Sequence, residues 1–218
     1  MAPASRRRIV LASSSPRRRE LAVSEGWDVE VVPPPEAVEA AAAPRSGAES
    51  LKDYVLRLAR AKGRAVAEAG AQGTIIACDT LSEVDGTALG KPVDRDDARR
   101  MLTLLSGRVH RVLTGIWLCH HSLTLGSQPP GSQANRPKRR PTLLEAVEES
   151  LLEMGPLAGP LLDWYLDSGM WQGKAGACGF QDDRLPLRLV AGSGSNVVGL
   201  PLERLRIMLA ELDGPRIA

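Results

Sequence analysis

Ile9-Val10-Leu11-Ala12-Ser13-Ser14-Ser15-Pro16-Arg17-Arg18-Arg19 sets a strand, a turn and a helix start end to end. The apolar, β-branched run 9–12 reads as a buried strand. The serines end it. Ser15 is placed to cap a helix and Pro16 to begin it, and that helix runs to about Glu25 and stops at Gly26. A strand feeding straight into a helix N-terminus is how an α/β unit opens, and the rest of the chain keeps the alternation.

Working outward, residues 28–32 read as the next strand and 33–49, with three consecutive prolines, as loop. From about Ala48 a long helix is predicted, with Leu51, Val55, Leu58, Ala59, Lys62 and Val66 on one face and Gly70 and Gly73 beyond its end. Residues 74–78 form an apolar strand that stops at Asp79-Thr80. Residues 81–84 and 87–89 flank Asp85-Gly86, a strong hairpin signal. Asp94 caps a helix to Leu105, and 111–119 is strand-like. Residues 127–141, rich in proline and cations, read as a solvated insertion. Helices are expected at 143–153 and 159–168, a strand at 187–191 and a last helix at 201–212. No internal repeat is visible. The expectation is one α/β domain spanning 1–218.

Composition bounds the function. With 43% hydrophobic and 25% charged residues the 218-residue chain resembles an ordinary globular protein. At that length it buries about 70% of its unfolded surface and needs no disulfides. Aromatic residues are only 3%, so Leu, Val, Ile and Ala must build the core. Net charge is +2, which gives no global field for nucleic acid or membrane. Arg6, Arg7, Arg8, Arg17, Arg18 and Arg19 precede the first acid, Glu20, but no aromatics interleave them, so an RNA-binding module is set aside. No apolar run is long enough for a membrane span, and the four-residue run after Arg8 is too short for a signal peptide. Cys78, Cys119 and Cys178, odd in number and widely spaced, read as reduced thiols. A cytoplasmic location is expected.

Three segments carry chemistry. Residues 13–18 put hydroxyls, a helix N-terminus and two guanidinium groups together, a natural seat for phosphate. The bland alternative is a basic surface turn. Asp79 follows a buried strand, where open sheets place ligand groups, and could hold a cation or take a proton from water. On its own it reads equally as a turn aspartate. Lys91, in Gly90-Lys91-Pro92, is alone a surface lysine, whereas helical spacing sets Lys62 near an apolar face, either snorkelling out or aimed at an anion. His110 reads as a satisfied structural histidine, and His120 and His121 as idle. No Walker loop, HExxH or GxSxG motif is present. Phosphate-ester or phosphoanhydride chemistry is the sum.

The ordered segments resemble the Maf family of nucleoside triphosphate pyrophosphatases. They are Leu11-Ala12-Ser13-Ser14-Ser15-Pro16-Arg17-Arg18, residues 54–62, Asp79-Thr80, Gly90-Lys91-Pro92, residues 106–112, Lys174-Ala175-Gly176-Ala177, Gly179-Phe180-Gln181 and residues 196–202. They span nearly the whole chain in the family's order. The resemblance implies a Maf/inosine-triphosphatase-like fold: an elongated, mixed, twisted sheet flanked by helices, with a cleft between two lobes. It also implies hydrolysis of a nucleoside triphosphate between the α and β phosphates, a divalent cation (Mg²⁺, Mn²⁺ or Co²⁺) and a homodimer.

Carried over residue by residue, Ser13, Ser15, Arg17 and Arg18 would hold the triphosphate, and Lys62 and Lys91 would neutralise the leaving pyrophosphate. Asp79 would activate water and bind the metal, with Glu36 or Glu39 as second acidic ligand and Glu36 nearer in register. Thr80 and Gln181 would meet the base. Arg17, Thr80 and Gln181 resemble the dTTP/UTP branch. Cys78, Cys178, Gly194 and Asp182-Asp183-Arg184-Leu185-Pro186 depart from the family pattern. Two rivals stand beside this reading: a non-catalytic nucleotide-binding regulator of cell division, and a house-cleaning hydrolase for noncanonical nucleotides.

Overall fold

A computed structural model describes residues 6–40, 45–120 and 141–213, the side chains of 39 and 40 aside. Strand β1 is Arg8–Leu11 and helix α1 is Pro16–Ser24, capped by Ser15 as the sequence predicts. Strand β2 (Asp28–Val31) follows. Residues 33–49 are not all loop. Glu36–Ala40 forms a short helix α2, because Pro35 offers a carbonyl that Val38 N reaches at 2.9 Å and has no N–H to lose at a helix start.

Helix α3 (Leu51–Glu68) starts at Ser50, whose hydroxyl accepts from Asp53 N, and buries Val55, Ala59, Lys62, Gly63 and Val66 along one stripe. Strand β3 (Thr74–Val84) and strand β4 (Thr87–Leu89) form the expected hairpin, with positive φ at Asp85 (49°) and Gly86 (79°). Helix α4 (Arg95–Leu105) is capped by Asp94 and leads into β5 (Val109–His120). Then come β6 (Thr142–Met154), α5 (Gly159–Asp167), a 3₁₀ turn (Ala175–Ala177), β7 (Leu187–Ala191), α6 (Gly194–Val198) and α7 (Leu202–Asp213). The expected insertion at 127–141 and His121 fall outside the described residues, Pro141 excepted.

The largest departure is β6, expected as a helix at 143–153. Leu, Glu and Ala favour helix locally, but this segment pairs antiparallel with β5 from His120↔Thr142 to Val109↔Glu153. Strand alternation then sends its glutamates to opposite faces. Glu145 meets Arg60 of α3 at 2.6 Å, and Glu148 meets Arg204 of α7 at 2.5 Å.

One mixed, seven-stranded sheet results, in the order β2-β1-β3-β5-β6-β7 with β4 added to β3. β1 lies parallel to β2 and β3, and the other pairs are antiparallel. On one face Ile9, Leu11, Ile76, Cys78, Ile116 and Leu118 pack under α1 and α7. On the other, Val10, Ile75, Ala77 and Trp117 pack under α3. A separate cluster of Leu102, Leu105, Leu162, Tyr165 and Leu166 joins α4 to α5.

The feature that makes a cleft is a gap in pairing. β5 accompanies β3 from Thr74 to Glu83 along one edge. On the opposite edge β1 reaches only Ile76, and β4 begins only at Ser82. Between them residues 77–81 of β3 open toward the β1–α1 turn. Among the described residues no helix is long and apolar enough to cross a membrane.

Candidate active site

A cleft of about 370 Å³ sits at this gap. Its walls include Ser13, Ser15, Arg17, Arg18, Lys62, Thr80, Lys91 and Gln181, so the fold brings together all eight residues expected to bind substrate. Asp79 does not line it directly; it stands behind Lys62. Glu36 is exposed at the first residue of α2 and is not among the lining residues, and Glu39's side chain lies outside the described residues.

Asp79 is not at a strand end, as the sequence suggested. It sits mid-strand in β3, opposite Gly115 of β5, because β5 continues as a partner where β1 has stopped. Its carboxylate accepts from Lys62 Nζ of α3, both side chains being largely shielded from water. Close approach of α3 depends on Gly115: a Cβ there would stand 2.6 Å from Val55 O and 2.8 Å from Leu56 Cα. Lys62 therefore aims its ammonium at an anion instead of snorkelling out.

Arg18 is held on three sides. Nε donates to Gly199 O at 2.7 Å, Nη2 to Thr80 Oγ1 at 2.9 Å and Nη1 to Ser13 Oγ at 3.3 Å. Thr80 continues the network to Thr114 Oγ1 at 2.9 Å, and Thr114 donates to Asn196 O at 3.1 Å. Asn196 is buried and its Nδ2 donates to Ser150 Oγ and Val112 O. Sequence reasoning missed this buried relay, since its members lie on five separate elements. Arg17 instead donates to Gly173 O at 3.0 Å, linking the α1 start to the far wall.

That far wall holds another residue that sequence reasoning undervalued. Lys174, between two glycines much as Lys91 follows one, lines the cleft and pairs with Asp182 at 2.5 Å. The lining thus carries five cations (Arg17, Arg18, Lys62, Lys91, Lys174) and no carboxylate among the described residues. Asp79 and Asp182 lie behind lysines. Low-dielectric walls of one charge sign focus a field on an anion entering between them.

Toward Val112, Leu152, Leu187, Phe180 and Val197 the lining turns apolar, which suits a ring as the other end suits phosphates. His110 lies on this floor, buried, with the Arg108 backbone beside its ring and no well-aligned partner for Nδ1 among the described residues. Burial pushes its pKa down to about 4, and the ring stays neutral at pH 7. Burial also pushes the Cys178 thiol up to about 12, aided by Asp182, and Cys78 to about 11, which keeps both protonated at neutral pH. His120 is outside the cleft lining, its Nδ1 2.9 Å from Thr74 Oγ1.

The donor set bears on metal binding. Among the described residues no three His, Cys, Asp or Glu side chains gather as a cage. Magnesium needs none; one or two carboxylates and substrate phosphates commonly suffice. Asp79, beside a phosphate-favouring turn, fits that pattern.

Residues 8–212 match the family model described as Maf-like protein. Among similar proteins is the dTTP/UTP pyrophosphatase of Pyrococcus abyssi, 38% identical and covering 89% of this chain and 91% of that protein. The dTTP/UTP pyrophosphatase of Symbiobacterium thermophilum is 38% identical, covering 95% of each. That of Rhodopirellula baltica is 36% identical, covering 94% of this chain and 82% of its own. A solved structure, of a HAM1 protein from Coxiella burnetii, matches 94% of this chain and 99% of that one at 17% identity, with a TM-score of 0.40.

Proposed function

The chain belongs to the Maf-like protein family, and from that premise we propose that it hydrolyses the α–β phosphoanhydride of dTTP and UTP, releasing the monophosphate and pyrophosphate. The observation that carries the reading to this chain is the charge layout of the cleft: five cations on the wall, an apolar floor beyond them, and Asp79 set behind Lys62. The relatives' shared activity does not favour a non-catalytic regulator.

In this reading Ser13, Ser15, Arg17, Arg18 and the N-terminus of α1 would seat the triphosphate. Lys62 and Lys91 would stabilise charge growing on the leaving pyrophosphate, where fixed cations act most strongly. As Lys62 turns toward phosphate, Asp79 would be released to accept the proton of the water attacking the α-phosphorus. The bridging P–O bond then breaks and its electron pair leaves with pyrophosphate. Gln181 would meet the base. Thr80, already engaged by Arg18, would act both at the base and by holding that guanidinium in place.

A divalent cation, Mg²⁺, Mn²⁺ or Co²⁺, would supply a lowered water pKa and share the phosphate charge. Asp79 would hold it with phosphate oxygens, and Glu36 would serve as second ligand on the strength of the resemblance. A homodimer rests on the resemblance alone, and a cytoplasmic location on the odd number and wide spacing of the three cysteines, Cys78, Cys119 and Cys178.

The test is product analysis over dTTP, UTP, CTP, 7-methyl-GTP and pseudo-UTP with each metal and with chelator. Metal-dependent release of dTMP and UMP with pyrophosphate supports the reading. Turnover confined to 7-methyl-GTP or pseudo-UTP would move the substrate, and no turnover with binding retained would leave the regulator.

A further inference from the structure

Strand register orders the floor of the cleft. Thr80 of β3 faces Thr114 of β5, and Ser82 faces Val112. His110 comes two residues before Val112 on β5, opposite Leu152 of β6. Side chains alternate along a strand, so Thr114, Val112 and His110 share one face. Thr80, beside the Arg18 guanidinium, marks the phosphate end of that face. Four residues of strand, about 13 Å, separate its partner Thr114 from His110. His110 therefore stands at the other end, where Val112, Leu152, Leu187 and Phe180 make the lining apolar.

His110 is only 2% exposed, so its neighbours fix the ring and it cannot turn to suit a ligand. Nδ1 is sealed from water without a well-aligned partner, and the Arg108 backbone lies beside the ring. Nδ1 is the nitrogen nearer the main chain, so it is the one that the Arg108 carbonyl meets. A proton on Nδ1 makes that contact an attraction, whereas a bare Nδ1 would set two lone pairs against each other. Burial keeps the ring neutral at pH 7, so it holds a single proton. With that proton on Nδ1, Nε2 is left as a fixed acceptor on the edge that the ring presents to the cleft. An apolar pocket with one placed polar group is how a ring is both held and oriented.

We propose that His110 is a base-binding residue: its Nε2 accepts a hydrogen bond from N3–H of the uracil or thymine ring seated on the apolar end of the cleft. Once N1 bears the sugar, N3–H is the only N–H of these rings, so an acceptor on the floor can meet no other. The proposal rests on the reading that this end takes the base of dTTP or UTP, and it adds the group that anchors the ring there.

The test measures Kd for the α,β-imido analogues of UTP and N3-methyl-UTP, which cannot be split between the α and β phosphates, in the wild type, H110L and H110Q, with a thermal melt of each. Methylation removes the N3 donor; H110L removes the acceptor. The wild type should bind the unmethylated analogue at least about tenfold more tightly. H110L should lose about tenfold on that analogue and little on the methylated one, so the preference falls. H110Q, which keeps an acceptor oxygen near the place of Nε2, should hold the affinity within about threefold, and it decides the matter if H110L does not fold: its preference then stays near that of the wild type. An equal loss on both analogues in a folded H110L would make His110 merely structural and overturn the proposal. Equal binding of the two analogues by the wild type would overturn it as well. The expected Kd pattern in a protein that does not turn over UTP would uphold the contact and overturn the hydrolysis instead.

Discussion

Lys62 and Asp79 form an ion pair between α3 and β3 with side chains only 9% and 14% exposed. The pair sits where β1 has ceased to accompany β3, with Lys62 on the cleft wall and Asp79 behind it at the point where the sheet edge opens. Desolvating two charges is costly unless they satisfy each other, and removing either partner strands the other's field in a dry site.

Lys62→Met should therefore cost both stability and activity. The expected loss is about 3 kcal/mol of folding free energy, measured by urea unfolding. Turnover of dTTP should fall by about 10²–10³-fold, the typical cost of deleting a fixed charge at the transition state. Wild-type turnover in a folded Lys62→Met protein would remove Lys62 from the mechanism.

Arg18 and Thr80 should behave as one unit. Arg18→Lys cannot reproduce three donors directed to Gly199 O, Thr80 Oγ1 and Ser13 Oγ. A double-mutant cycle with Thr80→Val, read in kcat/KM for UTP, should give a coupling of about 1–2 kcal/mol. Additive losses would mean that Thr80 acts independently of the guanidinium.

Gly115→Ala tests the seating of α3. The new methyl would press on the backbone of Val55 and Leu56, which cannot turn aside as a side chain can. Destabilisation of about 2–3 kcal/mol is expected, lowering Tm by about 5–10 °C. Activity at low temperature should fall as well, because α3 carries Lys62. An unchanged Tm would show that the helix has slack over this strand.

His110 should give the protein an acid-sensitive stability. Burial lowers its folded-state pKa to about 4, below the ordinary value of 6.5 for imidazole. The unfolded chain thus binds the proton first as pH falls. The stability from keeping the ring neutral is complete above about pH 6.5, declines as pH falls toward 4, and is gone below that. The full effect is about 3 kcal/mol. His110→Gln should flatten the slope of Tm against pH between 6.5 and 4; an identical slope would assign it to other groups.

What the sequence made legible were the elements that carry their own local signals. Ser15 and Asp94 announce α1 and α4, the apolar stripe from Leu51 to Val66 announces α3, and Asp85-Gly86 announces the β3–β4 hairpin. β6 was not legible, since a Leu- and Glu-rich segment becomes a strand only by lying along β5. For the same reason Asp79 could be singled out but not located. Whether β3 ends or continues there is decided by which neighbours run on, and those are distant in sequence. The eight cleft residues were legible through motif resemblance. The Arg18–Thr80–Thr114–Asn196 relay and the Tyr165–Asp182 contact were not, since each forms only when separate elements dock.

In the proposed reaction Asp79 handles the proton of the attacking water while its lysine partner serves the phosphates. Single-turnover pyrophosphate release from dTTP by Asp79→Asn, beside a measured Kd for the same nucleotide, tests it most directly. A fall in rate of about 10³-fold with Kd changed by less than tenfold is expected, because asparagine keeps the shape and loses the base. Full pyrophosphate release from a folded Asp79→Asn protein would contradict it.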